Sequence, residues 1–249
     1  MIFIKKYYDK SQQYFIFTET TRDYMSNCIK DITHNEAFEL LTESELLILK
    51  NNKTSIKYDK GEVLIKQGTL SNSIIFVKKG ISKIYIEGSQ KKIILTIKRD
   101  NNFLGLSSLY TEDKTYQYTV TALEKCKVEL YDKTAFKEVL KKNVAFSNEI
   151  IKYINHNTSR FYKRLLCITE KNSRGKVADM ILCLSNHIFG CLEFTIPLSR
   201  QELAEFAGLS MENTIRILKE FEADKLIKLK GKSFKIKNKT MLERISEFG

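Results

Sequence analysis

Apolar residues between positions 55 and 132 come in short runs: "GEVLIKQG", "SIIFVKKGISKIYIEG", "KKIILTIK", "TYQYTVTAL" and "CKVELYD". β-branched and aromatic side chains dominate these runs, and Gly61, Gly68, Gly80, Gly88 and Gly105 punctuate them at turn-like intervals. Many short strands separated by glycine turns predict an antiparallel β-roll or barrel. A helical stretch, Glu36–Asn51, precedes the block, and Thr42 followed by Glu45 forms a capping-box pattern within it.

From about Thr134 the period becomes helical. Val144, Ser147, Ile151, Ile154, Thr158, Phe161, Leu165 and Ile168 fall at alternating spacings of 3 and 4. That is the a/d seam of a coiled coil. A helix packed within its own chain has a similar pattern. Position favours a partner helix, because one long helix directly after a β domain has little of its own chain left to cover the stripe. The seam therefore predicts a homodimer joined through Val144, Ile151, Ile154, Thr158, Phe161 and Leu165.

The last third reads "LSRQELAEFAGLSMENTIRILKEFEADKLI" after Pro197, the chain's one proline. Ser199 with Glu202 makes a capping box that starts one helix. Gly208 ends it, since glycine takes the left-handed conformation readily. Ser210 then caps a second helix running to about Ala223. Leu203, Ala204, Leu209, Ile217, Leu218 and Phe221 supply apolar contacts, and the small Ala204 allows the helices to approach closely. This is a helix-turn-helix plan. Two alternating runs in "LIKLKGKSFKIKN" flank Lys230-Gly231-Lys232 and predict a hairpin, the wing of a winged helix. Two helices of an ordinary helical domain are the alternative, and the coincidence of cap, small residue, glycine turn and hairpin argues against it.

Charge sharpens this picture. Lys+Arg exceed Asp+Glu by 42 to 30, a net charge of +12. Such a surplus favours nucleic acid as a partner, although a lysine-rich proteome would produce it too. Location decides: Lys225, Lys228, Lys230, Lys232, Lys235, Lys237 and Lys239 crowd in and around the hairpin, so the partner expected is double-stranded DNA. An apolar fraction of 43% in 249 residues is enough for the cores of two modest domains.

Other chemistry is sparse. The five cysteines (Cys28, Cys126, Cys167, Cys183, Cys191) form no CxxC pair, so neither a zinc site nor a disulfide framework is predicted. Cys183 and Cys191, flanking His187, leave a redox switch as a minor alternative. His34, His156 and His187 read as surface or core histidines rather than haem ligands, and no metal or cofactor is predicted. No P-loop, Gly-x-Ser-x-Gly or HExxH occurs, so the reading is not an enzyme. No apolar run approaches the ~18 residues that span a bilayer. The start, "MIFIKKYYDKSQQYFIF", is broken by Lys5, Lys6, Asp9 and Lys10 and lacks a signal-peptide pattern. It reads as an extension covering residues 1–35, with Met25 an equally good initiator. The expectation is a soluble, cytoplasmic protein with no membrane partner.

The order of roll, long helix and winged helix, with "SRQELAEFAGLSMENTIRILKEFEADKLI", resembles the Crp/Fnr family of bacterial transcription factors. "YDKGEVLIKQG…IIFVKKGISKIYI…NNFLGLSSLY" is similar to the cyclic-nucleotide-binding roll by its glycine placement. The resemblance covers nearly everything from Glu36 onward. It implies an α+β architecture: a sensor β-roll over 36–142, a dimerisation helix over 143–168 and a winged helix-turn-helix DNA-binding domain over 169–249. It further implies a homodimeric transcription regulator on a palindromic DNA site, with RNA polymerase as a further partner. By the same resemblance Met211, Glu212, Ile215 and Arg216 read bases, while Ser199, Arg200, Ser210, Asn213, Lys230 and Lys232 grip phosphates. The retained Glu…Arg pair implies a half-site containing TGA. Met211 replaces an arginine of the cyclic-AMP receptor branch, which relaxes that branch's extra G·C preference. The i,i+4 spacing of Glu212 and Arg216 also predicts a salt bridge that aligns the guanidinium.

Departures from the family matter as much. Cyclic-nucleotide binders follow Phe-x-Gly with a Glu for the ribose and later carry Arg-Ser or Arg-Thr for the phosphate. Here Phe103-Leu104-Gly105 precedes Leu106, and the later pair is Tyr116-Gln117. A buried phosphate without its guanidinium loses a charge-assisted bidentate contact, so cyclic AMP is not the expected effector. The corresponding effector pocket comprises Leu106, Ser107, Ser108, Tyr116 and Gln117, with Phe161 from the long helix, and its ligand is unnamed. Cys28 and Cys126 alone do not provide a four-cysteine iron–sulfur cluster. A ligand-sensing module acting through protein contacts instead of DNA is the alternative, and the basic wing argues against it.

Overall fold

The run Ile74–Val77 has no polar alternation, so a strand built from it must bury both faces. A computed structural model describes residues 35–249 and shows all four of these side chains buried. They lie in β3 (Ser73–Lys79), one of eight strands that form the roll. The others are β1 (Lys53–Tyr58), β2 (Val63–Ile65), β4 (Ser82–Glu87), β5 (Lys92–Lys98), β6 (Asn102–Leu104), β7 (Thr119–Ala122) and β8 (Cys126–Asp132). Two four-stranded sheets result, ordered β1-β8-β3-β6 and β2-β7-β4-β5, with every neighbouring pair antiparallel. Ile75 and Val77 belong to a core with Leu64, Ile84, Val120 and Val128. Ile74 and Phe76, on the other face of β3, pack with Phe103, Phe136 and Phe146. Gly80 turns β3 into β4 at φ +121, where an added Cβ would lie 2.8 Å from the Lys125 carbonyl. The expectations for Met25, Cys28 and His34, and nearly all of the proposed extension, fall outside the described residues.

The predicted helix Glu36–Asn51 is two helices, α1 (Asn35–Glu39) and α2 (Glu43–Asn51). Thr42 is the reason. Its hydroxyl accepts from the Glu45 amide at 3.3 Å, and Glu45 Oε2 accepts from the Thr42 amide at 2.9 Å. A capping residue is extended (Thr42 ψ 162) and so interrupts a continuous helix.

After β8 come α3 (Lys133–Lys142) and the long α4 (Val144–Glu170), whose first turn is capped by Asn143. One face of α4 buries Phe146, Ile150, Tyr153, Arg164 and Cys167. A neighbouring face leaves Val144, Ile151, Phe161 and Leu165 exposed, from 45% for Phe161 to 71% for Val144. Ile154 is half-buried against the aromatic cluster, and the exposed Thr158 donates to its carbonyl at 2.9 Å. Ser147, counted in the sequence pattern, instead donates its hydroxyl to the Leu140 carbonyl of the same chain.

The remainder comprises α5 (Ser173–Cys183), a π-helical turn at Leu184–Phe189, β9 (Glu193–Thr195), α6 (Arg200–Ala207), α7 (Met211–Ala223), β10 (Ile227–Lys230), β11 (Ser233–Ile236) and α8 (Lys239–Phe248). The wing is three-stranded, ordered β10-β11-β9, one strand more than the hairpin expected. Its core joins the roll. Val177, Ile181, Leu203, Phe206, Ile217 and Phe221 share one apolar cluster with Ile81, Tyr85, Ile94 and Ile97 of β4, β5 and the turn before them. Buried Arg164 of α4 donates to the Ile94 carbonyl at 3.3 Å and to the Phe206 carbonyl, and its guanidinium lies 5.1 Å from the Phe206 ring centre. Lys83 of β4 also pairs with Glu202 of α6. Each buried isoleucine contributes ~1.5–3 kcal/mol, whereas for the largely covered Lys83–Glu202 pair the cost of desolvating two charges offsets much of their attraction. The shared apolar core therefore holds the two parts together, and the polar contacts set their register.

Candidate nucleic-acid interface

The helix-turn-helix forms as its punctuation requires. The Ser199 hydroxyl accepts from the Glu202 amide at 3.1 Å, and Glu202 Oε2 accepts from the Ser199 amide at 2.7 Å. Gly208 ends α6 at φ +73, and an added Cβ there would meet the Ile168 side chain at 3.6 Å. Ser210 starts α7 by accepting from the Asn213 amide at 3.3 Å. Leu203, Ala204, Ile217, Leu218 and Phe221 are buried between the helices and the rest of the core, with Leu209 partly buried beside them.

Burying Thr214, Ile217, Leu218 and Phe221 fixes the rotation of α7 about its axis. Met211 (42% exposed), Glu212 and Arg216 (side chain 63% exposed) consequently face outward near its N-terminus, with Ile215 half-buried beside them. The predicted Glu212–Arg216 bridge is absent. Arg216 Nη1 donates to Glu220, one turn further on, and Nη2 donates to Asn213 Oδ1 at 2.7 Å. Two neighbours from α5 fix those acceptors. Arg174 Nη1 donates to Glu220 Oε2 at 2.6 Å, and Asn213 Nδ2 donates to the Ser173 hydroxyl at 3.1 Å. Arg174 also pairs with Asp224 at 3.0 Å and lies 5.0 Å from the centre of the Phe221 ring. Glu212 remains in the first turn of α7, where a carboxylate complements the helix dipole. Sequence spacing alone did not separate these arrangements, because Glu212 and Glu220 both stand four residues from Arg216. The anchor is Arg174, 42 residues upstream.

The wing turn joins this surface. Gly231 (φ +60) and Lys232 form its two central residues, and Arg200 Nη2 donates to the Gly231 carbonyl at 3.2 Å. A cleft lined by Ser199, Arg200, Leu203, Gly231 and Lys232 lies between the N-terminus of α6 and the turn. Ser199 and Ser210 use their oxygens as helix caps, so each hydroxyl hydrogen is left to donate outward. Lys230 and Lys232 are exposed. Lys235 is partly neutralised by Glu193 at 2.5 Å, and Asn213 has its carbonyl oxygen and one amide hydrogen engaged within the protein.

In the roll, the proposed effector residues do not all converge. Gly105 (φ +84) has the Tyr116 ring 3.0 Å from where a Cβ would stand, and its amide donates to the Tyr118 hydroxyl at 2.7 Å. Tyr116 donates to the Ser73 carbonyl at 2.7 Å, and burial pushes its hydroxyl above the ordinary pKa. Ser108 donates to the Gly105 carbonyl at 2.6 Å and also contacts the Ser71 hydroxyl, while Leu106 is buried. Gln117 turns to the surface and donates to Asp113 at 3.2 Å; Ser107 and Phe161 are exposed.

Burial pushes the thiols of Cys126 and Cys167 up to about 11 and about 12, so they are poor nucleophiles. Cys183 is half-buried and Cys191 exposed. Among the described residues no group of three or more His, Cys, Asp or Glu is arranged to hold a metal ion, and no helix is long and apolar enough to cross a membrane.

Residues 55–143 match the family of cyclic nucleotide-binding domains, and residues 175–245 match the Crp-like helix-turn-helix domain. Transcriptional activator protein FnrA of Stutzerimonas stutzeri is 24% identical over 183 residues, 71% of this chain and 74% of that protein. The cAMP-activated global transcriptional regulator CRP of Salmonella typhimurium is 25% identical over 188 residues, 71% of this chain and 86% of its own length. Among solved structures, FixK2 from Bradyrhizobium japonicum superposes with a TM-score of 0.70 at 15% identity, covering 78% of this chain and 96% of FixK2. A glycine-punctuated roll, a long helix with one uncovered apolar face and a winged helix-turn-helix, matched in both halves, place the chain in the Crp/Fnr family of DNA-binding transcriptional regulators.

Proposed function

We propose that the protein acts as a homodimer in the cytoplasm and reads a palindromic DNA site through the N-terminal half of α7. Residues 169–249 bind DNA, 143–168 dimerise, and 36–142 form the sensor-type roll. Arg216 donates two hydrogen bonds to O6 and N7 of a guanine, and Glu212 accepts from N4 of a cytosine. Met211 and Ile215 supply apolar contact beside them. Ser199, Arg200, Ser210, Lys230 and Lys232 hold phosphates and set register without reading sequence, with Asn213 contributing its one remaining amide hydrogen. In a dimer joined along α4 the two reading helices would enter successive major grooves ~34 Å apart. RNA polymerase is the proposed downstream partner. The roll is proposed to respond to something other than cyclic AMP, because the Gly105 amide is already bonded to Tyr118 and Tyr116, bonded to the Ser73 carbonyl, stands where the resemblance places the phosphate's arginine.

One observation carries this reading: the Arg200–Gly231 contact brings the wing lysines to the helix-turn-helix whose second helix exposes Met211, Glu212 and Arg216. Selection from a randomised duplex pool, followed by binding at several salt concentrations, tests it. Arg216→Ala should lose ~1–3 kcal/mol of preference at one base pair and leave the salt slope nearly unchanged. Lys232→Ala should weaken all duplexes alike and lower the salt slope by about 1. If Arg216→Ala selects the same sequences as the unaltered protein, Arg216 does not read bases.

A further inference from the structure

Arg216 is a long, flexible side chain on an exposed helix face, and such a chain loses freedom when it must meet a base edge in one orientation. Here that freedom is already restricted. Glu220 and Asn213 bracket the guanidinium from the next and the preceding turn of α7, and each is tied to α5. Glu220 is held by Arg174, and Asn213 by Ser173. Arg174 is itself held by Asp224 and by stacking on the buried ring of Phe221. Two of the five guanidinium N–H groups are used, so three remain to donate.

We propose that Glu220 and Asn213 are positioning residues that preset Arg216 for base reading, and that Arg174 and Ser173 make this preset depend on how α5 packs against α7. The proposal rests on the assignment of Arg216 as a base reader and deepens it. An exposed arginine paired only as a surface salt bridge would not need its carboxylate partner locked by a second arginine from another helix. Because Glu220 adds negative charge beside a DNA-binding surface, its presence works against non-specific affinity. Its removal should therefore separate two quantities that ordinary damage would lower together. Affinity for random duplex should hold or rise, and discrimination should fall.

The test uses the full-length protein, the duplex it selects from a randomised pool, and single-base variants of that duplex, read by fluorescence anisotropy at fixed salt. Glu220→Ala should reduce the matched-to-mismatched ratio by about 2–10-fold at the base pair that Arg216→Ala identifies, and at no other. Arg174→Met, which keeps an aliphatic chain over Phe221 and removes the clamp, should do the same to a smaller extent. In an Arg216→Ala background Glu220→Ala should change the ratio no further. If Arg216→Ala abolishes the preference but Glu220→Ala and Arg174→Met leave it intact, the positioning role is refuted and base reading survives. A higher ratio in Glu220→Ala would mean that the carboxylate competes with the base, which also refutes it. If Arg216→Ala changes nothing, both fall together.

Discussion

Gly105 illustrates how much a single residue decides. Its φ of +84 lies in the left-handed region, and the Tyr116 ring fills the space where a side chain would begin. Gly105→Ala should destabilise the protein by about 1–3 kcal/mol, from backbone strain and displacement of Tyr116, read as a shift in the urea midpoint. The amide of Gly105 is bonded to Tyr118 and the hydroxyl of Tyr116 to Ser73. The proposed loss of a cyclic-AMP response rests on these bonds and on Tyr116 standing where the family resemblance places an arginine. Calorimetry with millimolar cyclic AMP should show only heat of dilution, and a micromolar isotherm would show that the tyrosines yield. Tyr116 was legible in the sequence as a missing arginine. That it is buried and donates to Ser73 was not, because a hydrogen bond across 43 residues leaves no local pattern.

At the scale of elements, caps and glycine turns were read well because they are local. Thr42, Ser199 and Ser210 each cap with the side-chain bond their positions predicted. The heptad on α4 was also legible, yet its members differ in what they touch. Ile154 leans on the chain's own aromatic cluster, whereas Leu165 is 52% exposed. Leu165→Asp is therefore the cleaner probe of dimerisation: it leaves the protomer's core alone and places a charge in the proposed seam, at several kcal/mol per desolvated ion. Light scattering should find a monomer with an unaltered helical circular-dichroism signal. A stable dimer would move the interface elsewhere. Residues β9 and Leu184–Phe189 escaped prediction for opposite reasons. The strand has three residues and exists because β11 offers an edge, and the π-helical turn has the composition of an ordinary helix.

At the scale of the whole molecule, the roll and the winged helix are not independent. Glu202 serves α6 as a capping-box residue and the roll as the partner of Lys83. Burial raises its carboxyl, but the bonds from Lys83 and Ser199 outweigh burial and hold the pKa below the usual 4.5. A carboxyl with a depressed folded-state pKa stabilises the fold above its unfolded value, and that contribution disappears as pH falls through the folded value. Glu202→Gln keeps an acceptor for the cap and removes the charge. The stability difference between the two proteins should thus be present near pH 7 and shrink as acid is added below pH 4.5. Urea midpoints measured across that range decide it, and a pH-independent difference would mean that the Lys83–Glu202 pair contributes nothing.

By itself the sequence determined the elements and their chemistry: alternating runs and glycines for the roll, a 3–4 spacing for α4, caps and a basic hairpin for the winged helix. These follow from contacts within a few residues, where side-chain type and backbone preference act directly. The tertiary structure decided what depends on distant neighbours. It joined the β4–β5 part of the roll to the winged helix through one apolar cluster around Ile94, Ile97 and Phe206, and placed the buried Arg164 across them. It also paired Arg216 with Glu220 rather than Glu212. Both carboxylates are equally close in sequence, and only Arg174, arriving from another helix, breaks the tie.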